Sequence, residues 1–115
     1  MSRRVRDQGA AQTRLIMRAA RAGRRLNDWS QERLADEMTA VGVPWTFDMV
    51  VNLELGRRKL LGVHELYALS YVLDVAPIEL LAPTGVFPVL PHFFMHSDEV
   101  RTWITGRTSR TEVFR

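Results

Sequence analysis

Cysteine is absent from the 115-residue chain. That excludes a disulfide framework, a thiolate metal site and a thiol nucleophile, so the core has to hold by packing alone. No apolar run approaches the roughly 20 residues that span a bilayer, and the arginine-rich start lacks the apolar stretch and cleavage site of a secretion signal. A glycine-rich phosphate loop and a Ser-His-Asp pattern in a recognisable context are missing as well. Together these gaps predict a cytoplasmic protein that has no membrane partner, needs no cofactor and is not an enzyme. Acid is scarce at the start of the chain: residues 1–28 hold eight arginines against Asp7 and Asp28, although the whole chain carries a net charge of only +3. So one-sided a block suits a polyanion, with nucleic acid the first candidate, or else a solvated helix face.

What is present is an ordinary globular composition, 46% hydrophobic and 25% charged, in a length suited to one compact domain plus a tail. Residues 1–12 are polar, basic and aperiodic, and read as a mobile arm. From Thr13 to Leu26, Leu15, Ile16, Ala19, Ala20, Gly23 and Leu26 recur at helical spacing, until Asn27 and Asp28 break the pattern. Ser30 can cap a second helix by accepting from the Arg33 amide. That helix turns Leu34, Ala35 and Met38 inward and stops at Gly42 ahead of Pro44. Thr46 is the next cap, opening a short helix with Val50 and Leu53 on its apolar side and Gly56 at its end. A fourth helix begins near Val63, and Pro77 suits the first turn of a fifth that ends before Pro83.

Beyond Pro83, Val86-Phe87-Pro88-Val89-Leu90 reads as an extended or edge-strand piece, because proline cannot donate within a central strand. Ser97 can cap a short terminal helix ending at Gly106, and residues 107–115 read as frayed. Two histidines, His92 and His96, flank Phe93-Phe94-Met95. With no identifiable third ligand they do not make a metal site. The fold class expected is therefore all-α: a five-helix domain over residues 13–82, followed by a C-terminal extension, residues 83–115, with an extended segment and a short terminal helix.

In order, Trp29-Ser30-Gln31-Glu32-Arg33-Leu34-Ala35, then Thr46-Phe47-Asp48-Met49-Val50-Val51-Asn52-Leu53-Glu54-Leu55-Gly56-Arg57-Arg58, then Val63-His64-Glu65-Leu66-Tyr67-Ala68-Leu69 with Leu73, Val75 and Leu80-Leu81, resemble the Cro/phage-repressor-type helix-turn-helix family, also called the xenobiotic-response-element family. The resemblance covers about residues 13–82. It implies a transcriptional regulator, a repressor acting as a homodimer on a palindromic operator in double-stranded DNA and associated with the nucleoid. It also implies that Gln31 anchors the DNA backbone or orients a neighbouring base-reading side chain, and that Glu54 pairs with an arginine of the first helix, Arg24 or, one residue on, Arg25. The sequence departs from the family in two places. The segment from Met38 to Trp45 exceeds the tightest turns, so either the second helix is extended or the turn is open, with Trp45 stapling it. The helix after Thr46 is also poorer in Arg, Gln and Ser than is usual.

A major groove about 12 Å wide admits one α-helix, whose first residues reach base edges. Thr46, Phe47, Asp48, Met49 and Asn52 are accordingly the base-reading candidates: Asn52 can pair with adenine, Asp48 can accept from cytosine, and Phe47 or Met49 can meet a thymine methyl. Ser30, Gln31, Arg57, Arg58 and Lys59 are the phosphate-binding candidates. Phe47 and Met49 equally fit a core, Asp48 a helix-dipole role, and the Arg57–Lys59 run a solvated loop. The apolar stretch from Val86 to Met95 has to be covered, either by the chain's own helices or by a second copy. A rival reading is a protein-interaction adaptor or antitoxin-like partner engaging a protein through the C-terminal segment. A third is a small-molecule sensor with its pocket under the aromatic tail.

Overall fold

The computed structural model describes residues 3–58 and 60–113, and side chains over 8–58 and 60–112. Among these residues the chain is mostly helical, with seven helices and one two-stranded sheet: α1 Arg3–Leu26, α2 Gln31–Ala40, α3 Phe47–Glu54, α4 Val63–Leu73, α5 Pro77–Leu81, β1 Val86–Leu90, β2 Phe93–His96, α6 Ser97–Ile104 and α7 Arg110–Val113. No helix of the described residues is long and apolar enough to cross a membrane.

The first helix differs from the expectation at both its start and its face. It begins at Arg3, so the described part of the expected arm is helical. The side chains of Gln8 and Gln12 explain why order extends so far: both donate to the Pro88 carbonyl, and Gln12 also to that of Val89 at 3.2 Å. The buried stripe of α1 is Ala10, Thr13, Met17, Ala20 and Arg24, spaced by three and four residues as a helix seam requires. Leu26, counted inward from its spacing, is 88% exposed. The helix ends at Leu26, and the chain turns away at Asp28, in the left-handed region at φ 57°.

Local signals set the next three helices where the sequence places them. Ser30 Oγ accepts from the Arg33 amide at 3.0 Å and Thr46 Oγ1 from the Met49 amide at 3.2 Å. These bonds satisfy donors that a helix start otherwise leaves bare. Gly42 and Gly56 take φ 98° and 78°, values that only glycine adopts without strain. The turn between α2 and α3 is open, and α2 is not extended. Trp45 staples it from within, buried, its indole donating to Glu65 Oε2 at 2.7 Å and its carbonyl accepting from Thr39 Oγ1 at 3.1 Å.

Residues Met17, Ala20, Leu34, Met38, Trp45, Val50, Leu53, Leu69, Leu73 and Leu80 form the main core. A second cluster of Ala82, Phe87, Met95 and Val100 packs on Leu15, Ile16 and Ile78. The all-α expectation is corrected here. β1 and β2 pair antiparallel, Phe87 opposite Met95, with an irregularity between Pro88 and Leu90. The pairing was hidden because Pro91 and the histidines interrupt the strand pattern. Strand alternation turns Phe87 and Met95 inward and Phe94 outward, so the hairpin lies against the chain's own α1. Its inner side packs on Leu15, Ile16 and Ile78. An open groove of about 480 Å³ lies elsewhere, between Ala19, Gly23 and Leu26 of α1 and Val75 and Pro83.

Further corrections concern the C-terminal end. The cap of α6 is His96, whose Nδ1 accepts from the Asp98 amide at 3.3 Å, with Ser97 already inside the helix. The expected frayed tail contains α7; Phe114 and Arg115 lie outside the described residues, as do Met1 and Ser2 of the expected arm. Arg101 fixes α6 to the bundle by a fork on Glu79, at 3.1 and 2.9 Å, and by donating to the Ala82 carbonyl. The bond and charge of Arg101 hold the Glu79 carboxyl below its ordinary value, and Glu79 raises Arg101 in turn.

Candidate nucleic-acid interface

Helix α3 buries Val50 and Leu53, so its opposite face is set by helical spacing alone. That face carries Phe47, 50% exposed, exposed Asp48, half-buried Val51 and Asn52, and Leu55, 61% exposed. Thr46 is exposed at the cap. Phe47 is thereby outside the core. Met49 is the candidate that the structure moves away: it packs against the main core. Val51 and Leu55 are additions, legible in retrospect because they follow Asp48 by three and seven residues on a helix whose inward positions were already assigned.

The inner edge of α3 is clamped. Arg24 grips Glu54 with two parallel bonds, Nε to Oε2 at 2.8 Å and Nη2 to Oε1 at 2.9 Å, and its Nη1 donates to the Trp29 carbonyl at 2.7 Å. Arg24, not Arg25, is therefore the partner of Glu54. Gln31 Nε2 donates to the same Oε1 at 3.0 Å. Side chains of α1 and α2 thus converge on one carboxylate of α3, whose own side chain is 3% exposed. A forked, charge-assisted pair of this kind fixes geometry as well as energy. The expectation that Gln31 faces a phosphate is corrected: its amide is held inward, where it orients Glu54.

Of the described part of the basic run, only Arg57 stays open. The Arg58 guanidinium turns inward, Nη1 lying 2.7 Å from Glu65 Oε2 and Nη2 donating to Oε1 at 2.8 Å. The Gly62 amide donates to Oε1 at 2.7 Å, closing the first turn of α4. Burial opposes ionisation of Glu65, but the bonds from Arg58, Gly62 and Trp45 and the Arg58 charge outweigh it and hold the carboxyl below its ordinary value. A phosphate contact by Arg58 is corrected on that ground, and Lys59 lies outside the described residues. The sequence held a signal for Glu65: it is in phase with Leu69 and Leu73 on a core-facing helix.

Ser30 caps α2 as an acceptor, which leaves its hydroxyl proton for an outside ligand. Nearby Arg33 stacks 4.8 Å from the Trp29 ring centroid and pairs with Glu37 at 3.0 Å. The outward face of α3 itself bears no cation. Arginine lies beside it on α1: Arg14, Arg18 and Arg21 border a cleft of about 230 Å³ closed by Leu55 and Gly56. Among the described residues no group of three or more His, Asp or Glu side chains is placed to hold a metal ion. Comparison with family models, curated proteins and solved structures found no match to this chain.

Proposed function

We propose that the protein is a sequence-reading, duplex-DNA-binding transcriptional regulator of repressor type that lays α3 in the major groove. The observation that carries this reading is the clamp on Glu54. A helix gripped along one edge from two others, with Phe47, Asp48 and Asn52 turned outward, is a rigid probe of the kind groove readout needs. The resemblance of residues 13–82 to the repressor-type family supports the same reading. Asn52 and Asp48 have the chemistry to pair with adenine and with the cytosine amino group, and Phe47 that to meet a thymine methyl. Arg57 and Ser30, both still open to solvent, take the phosphates beside the groove. The protein acts as a dimer on a two-fold operator, with the exposed side of the hairpin, Val86, Leu90 and Phe94, as the surface between copies.

The test is selection of bound fragments from a genomic library, followed by anisotropy titration of the enriched duplex. Asn52→Ala relaxes preference at one base pair, whereas Arg57→Ala weakens all sequences alike and lowers the salt dependence. Absence of any enriched sequence overturns the reading.

A second reading has one observation in its favour. Phe47, Val51 and Leu55 follow each other at four-residue steps on the exposed side of α3, an apolar stripe that also fits a protein groove. A stoichiometric protein that survives nuclease treatment and is released by Leu55→Asp favours it.

A further inference from the structure

The chain between Gln8 and Asn27 contains five arginines and no acid. Arg24 is buried in the clamp, which leaves Arg14, Arg18, Arg21 and Arg25, all exposed. Their steps of four, three and four residues place them within an arc of about 60° and along about 16 Å of helix. Among the described residues no carboxylate pairs with Arg14, Arg18 or Arg25. Arg21 lies 3.7 Å from Glu54, a carboxylate already forked by Arg24, and stays half exposed. Four like charges at helical spacing repel one another, so the row lowers the stability of the free protein.

The row is continuous with the end of α3. A Cβ on Gly56 would lie 3.6 Å from the Arg14 side chain, and a single cleft joins Arg14, Arg18 and Arg21 to Leu55 and Gly56.

We infer that this α1 arginine row is the principal phosphate-binding ridge of the protein, engaging the sugar-phosphate backbone of duplex DNA beside the groove that α3 enters. The inference rests on the duplex-binding reading but not on sequence readout. A straight, evenly spaced set of guanidiniums suits a polyanion with regularly repeated charge: about 16 Å of row spans the rise of about four or five phosphates of one strand. Guanidinium forks bind phosphate oxygens in pairs, which a row of lysines would not reproduce. The ridge also supplies what the outward face of α3 lacks, since that face carries Asp48 and no cation.

The experiment compares two double variants of the 115-residue chain with equal charge loss, Arg18→Gln/Arg25→Gln on the row and Arg107→Gln/Arg110→Gln near its other end. Each is titrated by anisotropy against a labelled duplex of arbitrary sequence over a range of KCl. The row variant is expected to lower the slope of log K against log salt by about 1.8, which is about 0.9 for each phosphate left without its guanidinium. The row variant unfolds at the same or a slightly higher temperature, because neither residue has a carboxylate partner and two mutually repelling charges are gone. The control keeps the slope of the unaltered protein.

Equal losses in both variants, or none in either, overturn the ridge. So does a row variant that keeps DNA binding but loses binding to phosphatidylserine vesicles or to polyglutamate, which would assign the row to a membrane or an acidic protein. The two readings fail separately. A salt slope that depends on the row, with no enriched sequence in the library, keeps the ridge and removes sequence readout. An enriched sequence whose affinity ignores the row does the reverse.

Discussion

Two buried carboxylates, Glu54 and Glu65, organise the residue scale. Removing one partner of a buried ion pair leaves an uncompensated charge, which costs far more than the pair is worth in exposed positions. Glu54→Ala therefore strands Arg24, with a side chain 9% exposed, and is expected to destabilise by about 3–5 kcal/mol in urea unfolding. Arg24→Met combined with Glu54→Leu should recover much of that loss, since neither charge then remains. Glu65 makes a separate prediction about acid. Its folded pKa is depressed below 4.5, so its stabilising contribution is complete above the unfolded value and disappears as pH falls through the folded one. The unfolding temperature should thus fall as the pH is taken below the ordinary carboxylate value of 4.5, and Glu65→Gln should flatten that fall while lowering stability at neutral pH. A Glu65→Gln protein with the same acid slope would refute the assignment.

At the scale of elements, helix ends decide where α3 begins and how it leaves the globule. Thr46→Ala removes the acceptor for the Met49 amide and is expected to cost about 1 kcal/mol, read by urea midpoint. Fraying of the first turn would also loosen Phe47 and Asp48, so affinity for a selected duplex should fall alongside. Gly56→Ala forces a Cβ onto backbone at φ 78° and is expected to cost about 1–2 kcal/mol, whereas the space beside Arg14 at 3.6 Å tolerates the methyl. Caps and glycines of this kind depend on neighbours two to four residues away, which is why they could be placed from the sequence. The face of α1 could not. Leu15, Ile16, Ala19 and Leu26 look like one inward stripe, yet the helix meets two different neighbours, the main core on its Met17 side and the hairpin on its Leu15 and Ile16 side. Local spacing does not reveal a second neighbour that arrives 80 residues later in the chain, as Gln8 and Pro88 show.

For the whole molecule, the hairpin is the element that joins the C-terminal segment to the bundle. Phe87→Ala empties the second cluster and is expected to cost about 3–5 kcal/mol in cooperative unfolding. Phe94, 69% exposed on the outer side, is free of that duty. Phe94→Glu should leave stability nearly unchanged and lower self-association measured by sedimentation. A monomeric protein at all concentrations, or an unaltered dimer in Phe94→Glu, would remove the hairpin from the proposed assembly.

The sequence by itself determined the helices between Ser30 and Leu81, with the Ser30 and Thr46 caps and the Gly42 and Gly56 stops, because hydrogen bonds of that kind close within one turn. It also determined that a block of arginine stands almost without acid near the start. Tertiary structure decided which charges remain available. Arg24 and Arg58 are drawn inward by Glu54 and Glu65, while Arg14, Arg18 and Arg25 are left outside. Charge can be counted along a chain, but whether a charge is paired depends on carboxylates brought in from distant residues, and that only packing establishes.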